Sequence, residues 1–102
     1  RLTRQQLGNT PATGVMLNLT STGSTAPGYL AAYPCKRGRP DTSNLNFAPG
    51  TVVANFAIIE PDVDGDVCVY ASAPTHVVID LMGTTTAGFT GGAPVRLLDT
   101  RN

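Results

Sequence analysis

The sequence predicts an all-β chain: an antiparallel β-sandwich, immunoglobulin-like or jelly-roll-like, with about seven strands and one disulfide. Three observations point there. Short apolar runs alternate with turn residues along all 102 residues. Glycine and proline number 11 and 8, dense punctuation for so short a chain. The ordinary material of surface helices is missing, because the chain holds a single Lys and a single Glu.

The elements follow in order. In Val15-Met16-Leu17-Asn18-Leu19-Thr20 the apolar Val15, Leu17 and Leu19 share one face, as in a half-buried strand. A Ser/Thr/Gly/Pro loop leads to a second strand over 28–34, closed by Pro34, which has no N–H to give to a ladder. Residues 35–42 form a polar loop with the basic cluster Lys36-Arg37-Gly38-Arg39. A short strand over 43–47 and a turn at Ala48-Pro49-Gly50 precede the longest apolar run, 51–59. Being apolar on both faces, that run is expected to be a central, covered strand. The Asp64-Gly65 pair signals a hairpin, so 51–59 is expected to pair antiparallel with 66–72. After Ala73-Pro74 a β-branched run over 75–82 follows, and residues 94–99 make the last strand.

Length suits one domain over 1–102. Charged residues make up only 14% and the formal net charge is zero. Phosphate neutralisation drives nucleic-acid affinity, so that class of partner is not expected. No apolar run approaches the roughly 20 residues that span a bilayer. The chain opens on polar residues with no signal-peptide pattern, as a mature secreted protein or a segment of a longer one would.

Cys35 and Cys68 are the two cysteines and His76 the one histidine, too few for a four-ligand zinc site. A disulfide is the better reading, bridging the two layers of the sandwich and placing the chain in an oxidising compartment; buried free thiols are the alternative. Closing that loop stabilises by about 3–4 kcal/mol on the chain-entropy account. It also draws the basic loop after Cys35 towards the acidic stretch before Cys68.

The stretch Pro94-Val95-Arg96-Leu97-Leu98-Asp99-Thr100-Arg101 resembles the Arg-Leu-Leu-Asp-Thr-Arg signature of a β-sandwich repeat module in secreted and cell-wall-associated actinobacterial proteins. Other motifs resemble that module in the same order: residues 15–20, Ala26-Pro27-Gly28-Tyr29-Leu30, Tyr33-Pro34-Cys35, Arg39-Pro40 with 43–47, Val67-Cys68-Val69-Tyr70, and Val77-Val78-Ile79-Asp80. The resemblance implies tandem copies beside wall hydrolases, with surface display or adhesion and no activity. In the family the signature opens a repeat, whereas here it ends the chain. Residues 94–102, with Arg96, Leu97, Leu98, Asp99 and Arg101, are therefore weighed as a strand linking neighbouring copies, against the simpler reading that they complete their own sheet.

Candidate chemistry is sparse. Asp62, Asp64 and Asp66 could converge on calcium, but Gly65 stands fourth and Ala73 twelfth from Asp62, which departs from an EF-hand; a solvated hairpin tip is the plainer reading. Lys36, Arg37 and Arg39 could hold an anionic polymer or simply be solvated. Tyr29 and Tyr33 share a strand face and would form a glycan platform if exposed, though core packing is favoured. His76 could serve a nucleophile such as Ser72, but no nucleophile elbow accompanies it. Asn18-Leu19-Thr20 matches a glycosylation sequon by chance, inside a core strand. Arg96, Asp99 and Arg101 could form an ion-pair lock, with Arg96 and Leu98 on one face and Leu97 and Asp99 on the other. The expected function is a non-catalytic extracellular module for assembly on a cell, filament or particle surface, with copies of itself or neighbouring modules as partners. The alternative is a wall-polymer or glycan-binding module. No cofactor is expected.

Overall fold

The computed structural model describes residues 1–3, 5–7, 14–38, 43–85 and 89–100. Seven strands run in chain order: β1 (Gly14–Thr22), β2 (Gly28–Pro34), β3 (Leu45–Phe47), β4 (Val53–Ile59), β5 (Val67–Ala71), β6 (His76–Thr85) and β7 (Phe89–Asp99). They form two antiparallel sheets, a four-stranded one in the order β4-β1-β6-β7 and a three-stranded one in the order β3-β2-β5. The expected all-β sandwich of seven strands is therefore what the chain adopts.

Strand alternation builds the core. Val15, Leu17 and Leu19 of β1 point inward, as their period-two spacing requires, and each is at most 1% exposed. Leu30 and Ala32 of β2, Leu45 and Phe47 of β3, Ala57 and Ile59 of β4, Val67 of β5, and Val77 and Ile79 of β6 close on them from both layers. Leu2 joins the same cluster by a bridge to Val67, its N–H donating to the Val67 carbonyl at 2.7 Å. Buried Ser21 is satisfied at the end of this face by the Thr75 hydroxyl at 2.6 Å.

Two expectations are corrected. β4 does not pair with β5. It pairs with β1 from Val15↔Ile59 to Ser21↔Val53, while β5 pairs with β2. The Asp-Gly turn does form, with Gly65 at φ 83° and its N–H bonded to the Asp62 carbonyl at 2.9 Å. Turn chemistry fixes only the local reversal. Here Pro61 interrupts the chain between strand and turn, and the connection carries the backbone from one sheet to the other. Secondly, β4 is an edge strand, not a central one. Its inward face meets the core, and on its outward face Phe56 and Ile58 are exposed, with no second layer over it among the described residues.

Candidate interaction surfaces

One end of the molecule is organised by the disulfide. β2 stops at Pro34, and a single 3-10 turn over Cys35–Arg37 follows it. Tyr33 lies opposite Cys68 in the β2–β5 ladder, so Cys35 arrives beside it and bonds across a Cα–Cα distance of 4.9 Å. The bridge joins neighbouring strands of one sheet and does not cross between the layers, which corrects the expected placement.

The turn sets basic residues against the acidic loop. The Lys36 backbone N–H donates to Asp62 Oδ2 at 3.1 Å, and Lys36 Nζ pairs with Asp64 at 2.8 Å. Arg1 pairs with Asp66 at 2.9 Å. Asp62 Oδ1 also accepts the N–H groups of Asp64 and Asp66 at 2.8 and 3.0 Å. These backbone donors, that of Asp66 foremost, hold the Asp62 carboxyl below its usual pKa. The Asp64 carboxylate raises that of Lys36. The three carboxylates thus turn to different groups: Asp62 to backbone N–H donors, Asp64 to Lys36 Nζ and Asp66 to Arg1. Among the described residues no three Asp, Glu, His or Cys gather at one point, so the calcium arrangement is not formed. Arg37 is exposed on the turn, and Arg39 lies outside the described residues.

The outer face of the three-stranded sheet carries the tyrosines. Leu30 and Ala32 face the core, so alternation turns Tyr29, Ala31 and Tyr33 outward, against the favoured expectation of core packing. Tyr70 of β5 stands opposite Ala31, between the two tyrosines of β2. Its ring lies 6.0 Å from that of Tyr29, tilted by 50°. All three are half-buried. Ala31, between them on the same face, is fully buried although it faces away from the core.

The outer face of the four-stranded sheet is apolar along its β4 edge. Val52, Phe56 and Ile58 are 72%, 50% and 61% exposed. Ile58 stands opposite Met16, which is buried, and Phe56 opposite the polar Asn18, so the exposed stripe is confined to the β4 side of the sheet. That pairing places Asn18 on a central strand, where the sequon reads as chance. At the edge itself the Phe56 N–H is bonded by the neighbouring Asn55 Oδ1 at 3.1 Å. The Asn55 amide nitrogen in turn donates to the Asn44 carbonyl at 2.6 Å.

Arg96, Leu97, Leu98 and Asp99 lie in β7, which pairs with β6 of the same chain. Ile79 faces Leu98 while Asp80 faces Arg96, so Leu97 is an extra residue in a β-bulge. The bulge shifts the face parity, correcting the expected grouping. Arg96 and Asp99 come together at 3.2 Å, and Arg96 also pairs with Asp80. Arg101, the expected third member, lies outside the described residues. Thr100 locks the strand end, its hydroxyl accepting the Val77 N–H at 2.8 Å.

Between the β5 and β7 edges the sheets part around a cavity of about 200 Å³, lined chiefly by Leu2, Val69, Val77, Ile79, Leu97 and Leu98. His76 stands at the start of β6, with its Nδ1 3.4 Å from the Thr100 hydroxyl. Ser72, the nucleophile weighed for it, instead accepts the Tyr29 N–H at 2.8 Å.

Three features escaped the sequence reading: Tyr70 in the aromatic group, Asp80 as partner of Arg96, and the bare β4 face. Strand alternation around Val67 and Val69 could have placed Tyr70 outward; nothing local identifies the other two. No helix among the described residues is long and apolar enough to cross a membrane. No protein-family model, curated protein or solved structure matches the chain, so the resemblance to the wall-associated repeat module rests on the quoted motifs alone.

Proposed function

We propose that this chain is a non-catalytic extracellular module that takes part in a surface assembly on a cell, filament or particle, in contact with copies of itself or neighbouring modules. The observation that carries the reading is the β4 edge, where Val52, Phe56 and Ile58 stay exposed along a strand that, among the described residues, is paired on one side alone. Solitary soluble domains blunt such edges with charge, proline or a bulge, and contiguous apolar surface marks an interface. Residues 53–59 hold no charge and no proline. The disulfide supports an oxidising location. The resemblance of residues 94–101 to a wall-associated module points the same way.

Sedimentation velocity from about 10 μM to about 1 mM, spanning the range of weak interfaces, tests the reading. Association that weakens in the Phe56→Ser, Ile58→Thr double variant supports it. A chain that neither self-associates nor binds a neighbouring module sinks it.

A second reading is favoured by the outward group of Tyr29, Tyr33 and Tyr70 beside Lys36 and Arg37: a glycan or wall-polymer platform on which sugar rings stack. Glycan-array binding lost in both Tyr29→Ala and Tyr70→Ala would support it.

A further inference from the structure

We infer that β4 pairs antiparallel with β4 of a second copy about a two-fold axis through Phe56, joining two four-stranded sheets into one continuous sheet. The inference rests on the assembly reading and specifies its geometry.

Backbone direction comes first. In an antiparallel ladder successive residues point their N–H and C=O groups to opposite sides of the strand. The Phe56 N–H is held by the Asn55 side chain. The β1–β4 register runs unbroken from Val53 to Ile59. Ala54, Phe56 and Ile58 therefore direct their backbone groups to the free edge, while Asn55 and Ala57 bond to β1. Phe56 is the middle residue of the seven in β4. A two-fold at Phe56 lets the two Phe56 residues exchange backbone hydrogen bonds, with the partner carbonyl replacing the Asn55 carboxamide.

Side chains suit this register. The axis at Phe56 sets the two Phe56 rings together and small Ala54 against large Ile58 of the partner. Glu60, the nearest charge, falls opposite Val52 and meets no second carboxylate. Moving the axis to Ile58 would press Phe56 against the partner's Glu60; moving it to Ala54 would leave Ile58 opposite Gly50. An isologous interface must be self-complementary, and the register centred on Phe56 sets every outward side chain of β4 against an apolar one; an axis at Asn55 would do so too, but would set Phe56 against Ala54 and not against itself, which the mixed charge variants below distinguish. The contact is a small one, so the pair forms at high protein concentration or when copies are held close together.

Amide hydrogen exchange across a concentration series, with two charge variants, tests the pairing. The outward amides of Ala54, Phe56 and Ile58 should slow by about tenfold or more as the pair forms, while those of Asn55 and Ala57 stay constant. Phe56→Lys and Phe56→Glu chains should each remain monomeric, with circular dichroism and thermal midpoint like the parent. Their equimolar mixture should dimerise, because the axis sets residue 56 against itself. Self-association without protection of the three outward amides overturns the edge pairing and leaves the assembly reading standing. Protection without rescue in the mixed variants means another protein's strand or another register occupies the edge, and overturns it as well. A chain monomeric at every concentration overturns the pairing; binding to a neighbouring module then decides the broader reading separately.

Discussion

At Gly28 a side chain is excluded by contact alone. A Cβ there would sit 2.6 Å from Phe47 Cζ and 2.9 Å from the Ala73 Cβ. Phe47 is itself a core residue, 5% exposed, so it has little room to yield. Gly28→Ala should destabilise the chain by about 1–3 kcal/mol, as overpacking does, read from urea unfolding. Asp62 shows the opposite case, a residue valued for its charge. Its pKa is lowered in the folded chain by backbone donors, so its stabilising contribution is full above the ordinary carboxylate value. That contribution is lost as the pH falls through the lower folded value. Stability measured at a series of pH values should drop below about pH 4, and Asp62→Ala should flatten that drop.

Strand positions were legible at the element scale because alternation and punctuation are local. Val15, Leu17 and Leu19 announced an inward face, and Pro34 and Gly50 announced ends. Pairing was not legible. The Asp64-Gly65 turn states that the chain reverses, and it carries no information about which sheet each flanking strand enters. The apolar outward face of β4 looked like a covered strand, because hydropathy registers the apolar residue and not the layer missing above it. The Leu97 bulge likewise left no mark, and it alone brings Arg96 and Asp99 to one side. The disulfide was visible in the cysteine count, but its placement within one sheet depended on the β2–β5 pairing. Replacing Cys35 and Cys68 together by alanine should cost about 3–4 kcal/mol and lower the thermal midpoint by on the order of 10–30 °C, measured by calorimetry.

At the scale of the whole molecule the two sheets do different work. The three-stranded sheet carries the tyrosine face, the disulfide and the charged loops, and Leu2 covers part of its β5 edge. The four-stranded sheet carries the bare apolar strand, with the Arg96 ion pairs at its far side. The sequence made the tyrosines and the basic loop candidates, yet it could not rank them against β4, since exposure is decided by the layer arrangement.

The sulfur bridge also sets how the molecule would respond to tension. Its two cysteines are 33 positions apart, and both β3 and β4 lie between them. A pull applied to the flanking segments passes through the bridge and bypasses everything inside the loop. About 110 Å of contour, at roughly 3.3–3.6 Å per residue, is thereby withheld from stretching. Single-molecule force traces should lengthen by that amount when a reductant is added, so an oxidised tether built from such units is shorter and stiffer than its reduced form.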